Sequence, residues 1–158
     1  MPRVPGLEEV CVVQIDLAPE AQEVGATPLG HRRVLEILGG TVLGERLSGR
    51  ILSGGADWIL FDANGWGQLD VRMQWRMDEG PVIYASARGV VEFNERVLTA
   101  REAGEGTAFE DQYYRTLMRM EAGDPRYEWV NRAVFITEGR ISPGETGRGI
   151  EARTFIVT

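Results

Sequence analysis

The sequence predicts an all-β fold: a closed, mostly antiparallel β-barrel of about eight strands with one or two short helices. Three observations predict it. The chain has 20 glycines, and they fall between short apolar runs, as in a protein of many strands and tight turns. Leu69, Val71, Met73 and Trp75 alternate with Asp70, Arg72, Gln74 and Arg76, a period of two with one apolar face. So many short strands must close on themselves or stack as two sheets to protect their edges. An eight-stranded barrel has room for one small ligand.

The elements follow in order. Val10 to Leu17 reads as the first strand, and Ala18 to Gly30, rich in Pro and Gly, as a loop. Arg33 to Leu38 is a second strand closed by Gly39-Gly40, and Thr41 to Leu52 is a Gly-interrupted strand or pair of strands. Asp57 to Phe61 resumes after the Gly54-Gly55 turn. Asp62-Ala63-Asn64-Gly65 is a hairpin turn, because Asn-Gly supplies the positive φ angles it needs. The alternating strand then turns at Asp78-Glu79-Gly80-Pro81, and Val82 to Phe93 runs back with Tyr84, Ser86 and Arg88 on one face. Asn94 to Ala103 is the best helix, with Asn94 to cap its start and Gly104 to end it. Tyr113 to Glu121 alternates again. Asp124-Pro125 starts a turn or one helical turn through Trp129, and Arg132 to Thr137 and Gly149 to Val157 are the last strands.

A length of 158 residues fits a single domain over 1–158 with a real core. The balance of 17 basic and 24 acidic residues, net −7, disfavours nucleic acid and anionic membrane as partners. Arg outnumbers Lys, and Arg is the better cation where a planar charge is partly buried. The single cysteine, Cys11, rules out an intramolecular disulfide and reads as a buried core thiol. The N-terminus lacks a secretory pattern, and no apolar run approaches the roughly 18 residues of a membrane helix. A cytoplasmic location is expected. A small molecule is the expected partner, and a homo-oligomer stays open.

What is absent narrows the chemistry. One histidine and one cysteine cannot make a zinc site of usual composition. The sequence has no nucleophile elbow, no dinucleotide fingerprint and no phosphate-binding loop with Gly-Lys. A catalytic triad would have to use His31, whose neighbours Arg32 and Arg33 oppose its protonation. No acidic cluster has the spacing of a calcium loop. No metal and no organic cofactor are therefore expected.

Six segments carry a resemblance. Gly25-Ala26-Thr27-Pro28, Gly39-Gly40-Thr41, Gly54-Gly55-Ala56-Asp57-Trp58, Leu69-Asp70-Val71-Arg72, Tyr113-Tyr114-Arg115-Thr116 and Pro125-Arg126-Tyr127-Glu128-Trp129-Val130-Asn131 occur in this order. Together they resemble the bacterial and fungal family known as domain of unknown function 3237, from about Val10 to the C-terminus. The chain departs from the family pattern at Ala87-Arg88-Gly89, where Asn-Arg-Gly is usual, and at Glu45, where a proline is usual nearby. The resemblance implies a calycin-like barrel with a pocket, and no particular reaction.

The candidate site residues have two readings each. Asp57 is an acid or base beside the indole of Trp58, or a turn cap next to a core tryptophan. Asp70 and Arg72 orient a ligand oxygen from inside the barrel, or are ordinary charges on its outer face. Tyr84 and Arg88 share the facing polar side of the next strand. Tyr114 donates a hydrogen bond to a substrate oxygen, or packs within its strand. Trp129 and Asn131 reach the ligand, or hold their turn together. Taken together, the expected site has Asp57, Tyr114 and Arg88 as catalytic groups and Trp58, Asp70, Arg72, Tyr84, Trp129 and Asn131 as ligand contacts. The expected function is a cofactor-independent isomerase, cyclase or lyase acting by acid–base chemistry on a small apolar molecule bearing oxygen. The alternative is a non-catalytic carrier of such a molecule.

Overall fold

Strand β1 (Leu7–Leu17) lies between β11 (Gly149–Val157) and β3 (Gly30–Leu43) in the computed structural model, which describes residues 1–158. These pairings join the two ends of the sheet, so the wall is closed. Between them run β4 (Gly49–Ile51), β5 (Gly55–Asp57), β6 (Leu60–Phe61), β7 (Trp66–Met77), β8 (Val82–Glu92), β9 (Tyr114–Ala122) and β10 (Phe135–Ile141). The short β4, β5 and β6 are one broken strand, since all three pair with β3 on one side and β7 on the other. Counted so, the wall is an eight-stranded antiparallel barrel in which each strand pairs with its sequence neighbours. No helix is long and apolar enough to cross a membrane.

The first part of the chain differs from the sequence reading. The stretch Ala18 to Gly30 contains β2 (Gln22–Thr27), which continues β1 along the edge of β3 and returns through the turn at Pro28 and Leu29. Gly39-Gly40 lies inside β3 and does not end it. The reason is steric: Gly40 has a φ of 141°, and a Cβ there would overlap the Gln14 carbonyl of β1. The glycines let β1 close on β3 at the seam of the barrel. Near the other end, the 3-10 helix that starts at Pro125 runs on to Arg132, so β10 begins at Phe135 instead of Arg132.

The α-helix α1 (Glu95–Ala103) has the ends its sequence dictates. The Asn94 side chain accepts from the Val97 N–H at 2.9 Å, and Gly104 closes the helix with a left-handed φ of 68°. Val97 and Ala100 are buried beneath it. The loop after α1 is tied to β10 by Gln112, whose Nε2 donates to the carbonyls of Ala108, Phe109 and Gly139 and whose Oε1 accepts from Thr107 at 2.6 Å.

The barrel interior is packed at one end and hollow at the other. Trp75, Met77, Ile83, Met120 and Phe135 fill the end formed by the later part of β7, the start of β8, the end of β9 and the start of β10, with Leu47 and Val130 beneath. The opposite end, over which α1 lies, holds a cavity.

Candidate functional site

The cavity has a volume of about 900 Å³ and a largely apolar wall of Ile15, Leu17, Leu35, Ile37, Ile59, Leu69, Val71 and Val91. On β3 and β7 these residues alternate with less buried neighbours, Glu36 and Asp70, which is why one apolar face becomes a continuous lining. Phe61 and Phe93 meet edge to face at 4.9 Å higher in the wall, and Leu98 of α1 faces the opening.

Two polar groups stand in this apolar wall. Asp57, the last residue of β5, points inward and is 6 % exposed. One carboxylate oxygen accepts the backbone N–H of Asp70 at 3.1 Å, which ties the side chain to the neighbouring strand β7. No other protein group donates to it. Burial in the apolar wall pushes its pKa from 3.8 up to about 7, partly offset by the Asp70 N–H and reinforced by the Asp70 charge. Near neutral pH the group therefore exists in both protonation states, as an acid–base catalyst requires.

Tyr114, the first residue of β9, is the second. Its ring is buried and lines the cavity, and the hydrogen bond at this residue, from Arg115 Nη1, goes to its backbone carbonyl and not to its hydroxyl. Burial, followed by the nearby Asp57 charge, holds the phenol well above its ordinary pKa, so Tyr114 is a neutral donor. Gly139 of β10 makes room for it. A Cβ at Gly139 would run into the ring, so the glycine determines where the phenol lies.

Three arginines come together at the mouth. Arg33 of β3, Arg101 of the last turn of α1 and Arg148 before β11 all line the opening. Burial, then the charges of Arg148 and Arg33, bring the Arg101 guanidinium down to about 10, and burial with Arg33 also lowers Arg148. Sequence reasoning missed all three, because they lie on separate segments. One signal was available: Arg33 shares the parity of Leu35 and Ile37, the inward face of its strand.

The expected site residues separate into three groups. Asp57 and Tyr114 lie together in the cavity. Trp58, Asp70, Arg72, Tyr84 and Arg88 lie on the outer wall, with Arg88 77 % exposed and its Nε 3.8 Å from Asp70. This corrects the expectation of one pocket shared by all nine residues. The apolar face of β7 and β8 turns inward as Leu69, Val71, Ala87 and Val91, so the alternating polar face turns out. Arg32, Trp58, Asp70 and Arg72 form a small surface groove there. Trp129 and Asn131 sit at the packed end. Trp129 meets Phe135 at 6.0 Å beneath the Arg46 guanidinium, and Asn131 binds both the N–H and the C=O of Ala122, at 2.8 and 2.9 Å. Neither residue lines the cavity.

Cys11 is buried, with its thiol pushed up to about 12 chiefly by desolvation. His31 meets Glu23 at 2.6 Å, and no three His, Cys, Asp or Glu side chains are grouped to hold a metal ion.

Comparison with known proteins agrees with this architecture. A β-barrel-like protein from Acinetobacter baumannii superposes with a TM-score of 0.82 at 28% identity, over 100% of this chain and 99% of that one. A conserved protein of unknown function from Rhodopseudomonas palustris gives 0.84 at 25% identity, over the whole of both chains. An enzyme from Penicillium herquei shares the fold, with a TM-score of 0.71 at 14% identity over 100% of this chain and 98% of that one. In sequence, a UPF0311 protein of Rhodopseudomonas palustris strain TIE-1 is 34% identical over 116 residues, 73% of this chain and 74% of that protein. The family model described as "Protein of unknown function (DUF3237)" matches residues 5–157, and the chain belongs to that family.

Proposed function

We propose that this protein is a cofactor-independent acid–base enzyme, of isomerase, cyclase or lyase type, acting on a small apolar molecule bearing oxygen. One observation carries the reading: a carboxyl group held near neutral pKa in an apolar cavity, beside a buried phenol. Keeping an ionisable group in such a wall costs stability, and a cavity that only stored an apolar molecule would not need it. The fold also serves an enzyme in Penicillium herquei.

In this scheme Asp57 takes a proton from, or gives one to, the bound molecule, and Tyr114 donates a hydrogen bond to the oxygen on which negative charge develops. Isomerisation, cyclisation and elimination move a proton and return it, so Asp57 ends each turnover as it began. Asp57 and Tyr114 are the two groups that this scheme uses. The outward position of Arg88 removes it from the scheme.

The test is exchange of solvent deuterium into the α-carbon of apolar cyclic ketones such as 2-tetralone, followed by NMR. Wild-type protein should catalyse exchange, and Asp57→Asn should lower the rate by about 10²-fold or more. If wild-type protein binds the ketone but exchanges no faster than buffer, the apolar cavity serves a carrier instead.

A further inference from the structure

The acid–base reading leaves the mouth of the cavity unexplained. Arg33 meets Glu23 at 2.6 Å, but Arg101 and Arg148 have no carboxylate partner. Arg148 donates one Nη1 hydrogen bond to the Pro19 carbonyl at 3.2 Å, and its Nε is buried without a partner. The surroundings are apolar: Arg33 lies 5.5 Å from the Phe61 ring and Arg101 5.6 Å from the Phe93 ring. The other charged groups at the opening are His31, held by Glu23, and the exposed Glu95, Glu102 and Glu105, none of which pairs with the three arginines. A chain of net charge −7 thus gathers three guanidinium groups at one apolar opening.

The ring faces attract the guanidinium groups over them, and the Glu23 charge acts on Arg148 as well as Arg33. Three like charges crowded at a partly desolvated opening still repel one another unless a further anion joins them. A cationic ligand would be repelled, and a neutral one would leave the guanidinium donors unpaired. A planar carboxylate fits, because a guanidinium offers it two parallel N–H bonds. The cavity below offers only apolar wall, Asp57 and Tyr114, so the remainder of the ligand must be apolar.

We infer that the mouth is a carboxylate subsite, and that the protein's substrate is an amphipathic acid whose apolar body fills the barrel while Arg101 and Arg148, with Arg33 beside them, hold its carboxylate. This rests on the reading of the cavity as a small-molecule site and names the substrate class for it.

The test displaces the neutral fluorophore N-phenyl-1-naphthylamine from the full-length protein at pH 8, using decanoate, decanol and decyl phosphate. Decanoate should bind at least about 10-fold more tightly than decanol, the worth of a charge-assisted hydrogen bond. The double variant Arg101→Gln/Arg148→Gln should lose that preference while binding the fluorophore as wild type does, which also shows that it is folded. Equal affinity of wild type for decanoate and decanol overturns the subsite. Decyl phosphate binding more than about 10-fold tighter than decanoate overturns the choice of carboxylate. Failure of wild-type protein to bind the fluorophore at all would instead overturn the underlying reading of the cavity.

Discussion

The Asp57 carboxylate accepts the backbone N–H of Asp70 at 3.1 Å, through the gap where β5 gives way to β6. That one bond orients a buried acid without neutralising it. The oxygen that accepts it is an acceptor in both protonation states, so the side chain stays in place as its proton comes and goes.

Asp57 should make stability depend on pH in a definite direction. Its folded pKa is about 7 and its ordinary value 3.8, so the folded state binds the proton more tightly than the unfolded state. Its contribution to stability is complete below pH 4, falls as the pH rises towards 7 and is level above that. Asp57→Asn keeps the hydrogen bond from Asp70 and removes the titration. The variant should exceed wild type at pH 8 by roughly 4 kcal/mol at most, and the difference should vanish near pH 4. Urea unfolding of both proteins across this range checks it, and parallel curves would contradict it.

Tyr114 and Gly139 should separate chemistry from packing. Tyr114→Phe removes a hydroxyl that faces the cavity, so melting should change little while deuterium exchange falls by about 10-fold or more. Gly139→Ala should lower stability by about 1–3 kcal/mol, because the new methyl group meets the Tyr114 ring. It should lower exchange as well, by displacing the phenol. Thermal unfolding alongside exchange rates distinguishes the two variants.

The outer-wall residues should be dispensable for binding. Arg88→Ala and Tyr84→Ala change groups that face away from the cavity. Fluorophore affinity should stay within about 2-fold, and stability within about 0.5 kcal/mol. A large loss of affinity in either variant would place ligand contacts on the outer face.

Asn131 should behave as a brace. Its amide satisfies both backbone groups of Ala122 at the end of β9. Asn131→Ala should destabilise the protein by about 1–3 kcal/mol, since a donor and an acceptor lose their partners together. Fluorophore affinity, read at the opposite end of the barrel, should not change. Urea unfolding and a fluorophore titration measure the two effects.

The barrel was legible in the sequence wherever one face of a strand was consistently apolar. Leu69 to Met77 and Tyr114 to Met120 alternate cleanly, and Asn94 and Gly104 bracket α1 because helix ends need those residues. The β2 strand was not legible, because Gln22 to Thr27 lies half exposed on the edge of β3 and carries no apolar stripe. Gly39-Gly40 looked like a turn, since glycine signals either a reversal or a close approach and only the neighbouring β1 decides between them. Asp57 and Tyr114 were singled out because Gly54–Trp58 and Tyr113–Thr116 are among the segments that carry the family resemblance. The outer-wall residues misled because polar alternation does not say which face is inside. The arginines of the mouth become neighbours only when β3, α1 and the segment before β11 converge.

The packed end of the barrel has a kinetic consequence. With Trp75, Met77 and Phe135 filling the far side, the cavity is a blind alley and not a tunnel. Any molecule that enters the cavity must leave by the same doorway, beneath α1. The next molecule waits until the last has gone, so a bound ligand should slow the entry of a second. Changes to the doorway should alter the rate at which a bound molecule escapes even where they leave the surroundings of Asp57 untouched.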